Sequence, residues 1–226
     1  MSKYLTRQLD LIPLSVLDKK INVIGVGAIG SFTVLSLAKM GFSDITVFDD
    51  DTISDENMNC QFYRHKDIGK EKVYALYDLV KDFTGVEITC VPRRWAGEKL
   101  QGIVITSVDN MAVRKQIWET HKSSYAEWIV DPRMSAEYAL LYVVNPKCEK
   151  DRATYEKVLY SDAESVQERC TAKSTMYTVG MISGLVAKAV KSLLTSEQYP
   201  RIAQWDIGQD NLDVFRGGKH DQEQTL

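Results

Sequence analysis

The sequence predicts an α/β fold, a largely parallel sheet with flanking helices that finishes in antiparallel strands, and three observations predict it. A short apolar run, Ile21-Asn22-Val23-Ile24, passes directly into Gly25-Val26-Gly27-Ala28-Ile29-Gly30. From Ser31 the apolar residues change to helical spacing at Phe32, Leu35, Leu37 and Met40, with Gly41 placed to end the helix. A second run, Ile45-Thr46-Val47-Phe48, follows and ends on Asp49-Asp50-Asp51. Strand, glycine turn, helix and strand in this order make the nucleotide-binding unit of a Rossmann-like sheet.

Beyond that unit, spacing predicts helices over 70–83 and 113–125 and a long apolar helix over 176–194. Gly180 and Gly184 in the last would let a neighbour pack closely. Strands are predicted over 86–91, 103–106, 128–130 and 138–144, and 202–207 with 212–215 close the chain as a hairpin-like pair. Residues 1–20 read as a polar N-terminal arm, helical in part, and 217–226 as a polar tail that frays. The polar stretch 52–68 is longer than an ordinary connection, which often marks a functional loop. Residues 145–170 are charged and show no strong period. The chain of 226 residues is read as one domain.

Composition excludes several classes. A net charge of -3 with no basic block argues against a nucleic-acid partner. No apolar run approaches the roughly 20 residues of a membrane span, and the N-terminus has no secretory core, so a cytoplasmic protein is expected. Cys60, Cys90, Cys148 and Cys170 are scattered with no C-x-x-C pair, which supports neither a disulfide framework nor zinc.

In the glycine turn, the first glycine allows the sharp bend, the second lets a phosphate approach the backbone, and the third lets helix and strand pack closely. The free N–H groups at the helix start favour an anion. Asp49, at a strand end about 20 residues further on, stands where a ribose hydroxyl is bound. A tight turn with no ligand is the competing reading. The turn does not separate a dinucleotide oxidoreductase from an ATP-using enzyme.

Later residues separate them. Asp49-Asp50-Asp51-Thr52-Ile53-Ser54-Asp55-Glu56-Asn57, then Gly69-Lys70-Glu71-Lys72-Val73, then Ser107-Val108-Asp109-Asn110, resemble in order and spacing the ThiF/MoeB family, relatives of the ubiquitin-activating enzymes. Arg7-Gln8 matches the family's N-terminal pair, and Arg169-Cys170-Thr171-Ala172 its cysteine-bearing crossover. The resemblance implies an adenylyltransferase that uses ATP and Mg²⁺. It would activate the C-terminal carboxylate of a small ubiquitin-like or sulfur-carrier protein ending in Gly-Gly. By the same resemblance Asp109 would hold Mg²⁺, Asp49 the ribose, and Asn57 and Lys72 the phosphates, with Asp51 and Asn110 beside them. Arg7 would reach in from the second subunit of a homodimer. The zinc site of many relatives is missing.

Each role has a plainer rival. Lys72 reads also as a solvated helix residue, Asp109-Asn110 as a helix cap, Arg7 as a surface charge and Cys170 as a small buried thiol. Phe215-Arg216-Gly217-Gly218, although like a ubiquitin-type tail, reads as the end of the last strand. The chain also departs from the family: Cys60 stands where an arginine usually contacts the phosphates, and a thiol cannot copy that fork. Arg64 in the same loop or Arg133 in Asp131-Pro132-Arg133-Met134 would replace it, Arg133 being preferred as the better-held side chain, with a surface arginine paired to Asp131 as its plainer rival. Two other functions stay open. A nicotinamide-dependent oxidoreductase would need an acid–base group, for which His65, His121 and His220 are not persuasive. A non-catalytic family member that binds a carrier is supported by Cys60.

Overall fold

The computed structural model describes residues 3–123, 125–159 and 174–217. Among them, eight strands join in one sheet. Those of the first half are β1 (Ile21–Ile24), β2 (Ile45–Phe48), β3 (Thr89–Val91), β4 (Gly102–Thr106) and β5 (Ala126–Ser135). The second half adds β6 (Tyr138–Val144), β7 (Tyr199–Asp206) and β8 (Asn211–Gly217). Their spatial order is β3-β2-β1-β4-β5-β6-β7-β8. Pairs are parallel from β3 through β5 and antiparallel from β5 to β8. The helices are α1 (Ala28–Lys39), α2 (Lys72–Thr84), α3 (Met111–His121), α4 (Glu149–Glu156) and α5 (Met176–Leu194).

All four residues of β1 are buried, as a central parallel strand covered on both faces requires. On one face α1 packs beneath α5, whose Val179, Ile182, Val186, Val190 and Leu193 fall at helical spacing on its buried side. Ser183 Oγ ties the two helices by donating to the Ile29 carbonyl at 3.2 Å. On the other face Trp118, Ile117 and Tyr155 pack against Val104, Ile129 and Tyr142. By length and composition α5 could cross a membrane, with a mean hydropathy of 1.2, contrary to the sequence reading, but half of it is buried inside the protein.

Four differences from the sequence reading have physical causes. The strand expected over 128–130 runs to Ser135, through Asp131-Pro132. Its pairing with β4 stops at Val130, so Pro132 lies where β5 has only β6 beside it and its missing N–H costs nothing. Helix α4 lies in the charged 145–170 stretch, where its buried side is carried by Asp151 and Tyr155 rather than by an apolar stripe. Asp151 accepts from the Asn145 N–H and pairs with Arg201 at 2.6 Å. The polar lead-in contributes Leu5, Ile12, Val16 and Leu17 to the core. Gly180 and Gly184 meet no neighbour within 4 Å and lie on the exposed side of α5.

Gly25 and Gly30 are in close contact. A Cβ on Gly30 would stand 2.1 Å from the Gly25 carbonyl oxygen, and one on Gly25, where φ is +89°, 2.5 Å from the Ser107 carbonyl oxygen. Gly30→Ala is therefore expected to lose about 3 kcal/mol, the upper end of an overpacking cost, whereas Gly184→Ala gains about 0.5–1 kcal/mol. Urea unfolding of both variants checks this, and the opposite order would refute the packing argument.

His121 is fully buried. Its Nε2 accepts from the Leu100 N–H at 3.0 Å, and its Nδ1 donates to the Ile117 carbonyl at 2.8 Å. Burial lowers its pKa below the ordinary 6.5, despite the Ile117 contact. The unfolded chain thus binds a proton more readily than the folded one. Stability is full above pH 6.5 and declines as the pH falls below it. Unfolding at pH 7.0 and 5.5 should show the decline, and His121→Phe should abolish it.

Candidate functional site

The glycine turn joins β1 to α1 at the C-terminal end of the parallel strands, where open sheets of this kind bind ligands. Its shape is held from three sides. Asp49, leaving β2, accepts the Val26 N–H on Oδ2 at 2.7 Å and the Asp51 N–H on Oδ1 at 2.9 Å. Tyr63 donates its hydroxyl to the Val26 carbonyl at 2.6 Å, and Ser31 Oγ accepts the Phe62 N–H at 3.0 Å. Burial pushes the Asp49 carboxyl above its ordinary value, against the two N–H groups and the Lys72 charge that oppose it. Burial, with the charges of Asp49 and Asp51 nearby, drives the Tyr63 phenol well up, so it remains a donor.

The turn fits an anionic phosphate. Gly25 and Gly30 are closed by backbone, but the space over Gly27 is open, and a Cβ there would meet only Gln61 Nε2, at 3.9 Å. Gly27 caps α1, so the first N–H groups of the helix face that space. Among the described residues, two buried polar atoms beside the turn have no hydrogen-bond partner, Gln61 Oε1 and the hydroxyl of Ser107, whose Cβ lies against Gly30.

Beside it stand Asp49, Asp51 and Lys72, brought together by the end of β2 and the start of α2, and Asp109 and Asn110 follow β4 just past Ser107, whose carbonyl abuts Gly25. Lys72 is buried, donates to Asp51 Oδ2 at 2.7 Å, and its N–H bonds the Asp51 carbonyl. Asp49, Asp50 and Asp51 present carboxylate oxygens within 4.8 Å of one another, hard donors that suit Mg²⁺. Asp109 is exposed, and Asn110 Oδ1 accepts the Val113 N–H at 3.1 Å, capping α3. Asn57 Oδ1 is engaged inside its own loop by the Ser54 N–H at 3.0 Å.

The remaining candidates lie elsewhere. Arg64 pairs with Asp67 at 2.6 Å and with Asp82, ten residues along α2 from Lys72, about 15 Å of helix. Although burial opposes it, hydrogen bonds from Arg64 and Lys70 hold the Asp67 carboxyl down to about 2. Arg133 lies inside β5, with its Nε and NH2 on Asp131 Oδ2 at 2.9 and 2.8 Å, its NH1 on the Val158 carbonyl, and its plane over the Tyr142 ring. Arg7 is exposed beside Gln8, whose Nε2 bonds the Met40 carbonyl at 2.6 Å. That puts Arg7 at the far end of the 12-residue α1, about 18 Å from the glycine turn. Cys60 is buried near Lys72 and the Ser174 hydroxyl, and burial raises its thiol pKa against both. Cys170 lies outside the described residues.

Sequence reading missed three residues. Tyr63 was signalled by an aromatic residue in a polar loop. Arg114, four residues after Asn110 and so on the same side of α3, is buried against Asp131 and donates to the carbonyls of Thr106, Val108 and Pro132. Arg94, just past β3, pairs with Asp50 at 2.9 Å within the fields of Asp51 and Asp109, and no local motif marks it.

The sulfur carrier protein ThiS adenylyltransferase of Escherichia coli (strain K12) is 27% identical over 110 residues, 45% of this chain and 44% of that protein. The NEDD8-activating enzyme E1 catalytic subunit of Dictyostelium discoideum is 40% identical over 74 residues, 32% of this chain and 17% of that protein. This chain thus spans less than half the length of either relative in the matched stretches. In fold, the crystal structure of E. coli MccB with MccA-N7isoASN is similar over 96% of this chain and 72% of that one, with a TM-score of 0.79 at 14% identity. The sequence profile of the ThiF family matches residues 13–226, from ahead of the glycine turn to the last residue, and the chain belongs to that family.

Proposed function

We propose that this protein is an ATP-dependent adenylyltransferase that activates the C-terminal carboxylate of a small ubiquitin-like or sulfur-carrier protein as an acyl adenylate. The observation that carries the reading is the open space over Gly27 at the start of α1, with Asp49 bound to the turn and Lys72 bound to Asp51 beside it, in a chain of the ThiF family. The similarity to the ThiS adenylyltransferase supports it. The carboxylate oxygen would attack the α-phosphate of ATP, and pyrophosphate would leave. The first N–H groups of α1 would take phosphate oxygens, Lys72 would exchange Asp51 for a phosphate, and Asp49 would keep the turn in shape while facing the ribose. Asp109 would hold Mg²⁺, which supplies charge neutralisation at the phosphates.

The position of Arg7 supports a homodimer. In its own subunit it lies at the wrong end of α1, so only a partner's arm would bring it to a site. A second reading, a family member that binds a carrier without turnover, is favoured by Cys60 together with the ion pairs that occupy Arg64 and Arg133. Pyrophosphate exchange distinguishes the two.

Calorimetry is expected to show Mg²⁺-dependent binding of ATP and no comparable binding of NAD. Asp109→Ala should abolish pyrophosphate exchange and keep the parent circular dichroism, since an exposed carboxylate contributes little packing. Tight NAD binding without ATP binding would defeat the assignment, and exchange near the parent rate in Asp109→Ala would leave Asp109 only next to a helix cap.

Mixing Arg7→Ala with Asp109→Ala subunits should restore about half of the parent rate per heterodimer, because one of the two shared sites is then complete. An inactive heterodimer would mean that each subunit works alone.

A further inference from the structure

We infer that Arg114 is a positioning residue for Asp109, holding from behind the backbone that carries the proposed Mg²⁺ ligand. The inference rests on the nucleotide reading above and adds a residue to it.

Asp109 stands between the end of β4 at Thr106 and Asn110, the N-cap of α3, so its placing depends on the short segment 107–109. Both ends of that segment are fixed. The Ser107 N–H bonds the Ile24 carbonyl at 2.8 Å, and the Ser107 carbonyl oxygen lies so near Gly25 that a Cβ there would stand 2.5 Å from it. At the other end Asn110 accepts the Val113 N–H at 3.1 Å, and the Arg114 N–H bonds the Asn110 carbonyl at 3.2 Å. The Arg114 guanidinium grips what lies between. Its NH1 donates to the Thr106 carbonyl at 3.2 Å, and its NH2 donates to the Val108 carbonyl. That second carbonyl belongs to the peptide unit that ends on the Asp109 nitrogen. A planar peptide turns as one body, so holding the Val108 oxygen also sets the direction in which Asp109 leaves the chain.

Neutralising Asp131 does not account for Arg114. Asp131 is fully buried and already has a cation in Arg133, at 2.8 Å, besides the hydroxyls of Thr106 and Tyr155. A second buried guanidinium is costly to desolvate. What it adds is the grip on residues 106–108, and only a planar fork of donors reaches both carbonyls while facing a carboxylate. Asp131 and the Pro132 carbonyl, 3.4 Å from NH2, hold Arg114 in turn. Asp109 is therefore set in place by β5 through α3, before any ligand arrives.

Calorimetry of the full chain with adenosine, and with ATP in the presence and absence of Mg²⁺, tests this on Arg114→Lys, Asp109→Ala and the double variant. Arg114→Lys keeps the charge beside Asp131 and gives up the fork. It should weaken Mg²⁺-dependent ATP binding about tenfold, the lower end of what loosening the support of a metal ligand costs, and leave adenosine and metal-free ATP unchanged. In the Asp109→Ala background the same substitution should change nothing further, because the group it positions is gone. If Arg114→Lys does not fold, Arg114→Gln with Asp131→Asn, which removes both charges of the pair together, enters the same cycle. A loss shared equally by all three ligand conditions, or one that persists without Asp109, would make Arg114 a packing residue and overturn the inference. Unchanged Mg²⁺-dependent binding in the Arg114 variants would overturn it too, leaving the nucleotide reading intact. Parent-like Mg²⁺-dependent binding in Asp109→Ala would remove the metal role of Asp109 and the inference with it. A parent that binds no ATP would overturn both the inference and the nucleotide reading.

Discussion

Two backbone atoms in contact set the geometry on which the rest of this protein depends. The Gly25 carbonyl sits so near Gly30 that no side chain fits between them, and this fixes where α1 begins relative to β1. Because α1 starts there, its first N–H groups open at the C-terminal end of the sheet. Because its axis is fixed, α5 can lie along it and cover one face of the core. Asp49 extends the constraint to β2 by holding Val26 and Asp51 with one carboxylate. Lys72, bound to Asp51 through backbone and side chain, extends it to α2.

A second set of contacts does the same work on the other side of the cleft. Asp131, fully buried, receives Thr106 Oγ1 at 3.0 Å, the Tyr155 hydroxyl at 2.9 Å, and Arg133, with Arg114 also on it. Through Arg114 it fixes the carbonyls of Thr106 and Val108, immediately ahead of Asp109 and Asn110. A buried charge of this kind is costly unless every partner is present. The cluster spans β4, β5, α3 and α4, so these elements are tied together by polar contacts as well as by the apolar core.

Legibility in the sequence followed the physics of each segment. The glycine turn, β1, β2 and α5 are readable because a repeating apolar pattern or a steric requirement forces the residue type at each position. β5 was cut short at Val130 because Asp131-Pro132 reads locally as a break, and only the absence of a β4 partner past Val130 makes the proline acceptable. Helix α4 was invisible because a buried ion pair, Asp151 with Arg201, takes the place of apolar spacing, and the partner lies 50 residues away. At the site, Asp49, Lys72 and Asp109 could be named from motif order. The pair of Arg133 with Asp131 is also legible as a local alternative, but not its burial, nor the Asp82 partner of Arg64, which both depend on the fold. Arg94 approaches Asp50 only because β3 lies beside β2.

The crowding of Asp49, Asp50 and Asp51 has a consequence for what can enter the cleft. With Lys72 offsetting Asp51 and Arg94 offsetting Asp50, the carboxylates of Asp49 and Asp109 leave an excess of negative charge facing an incoming polyanion. A bare nucleotide triphosphate meets repulsion from the same carboxylates that would later stand beside it. A nucleotide already complexed with a divalent cation carries about half of that charge and brings a counter-ion for the carboxylates. On the proposed nucleotide reading, the acidic rim would favour a cation-complexed nucleotide over a bare one before the glycine turn touches it.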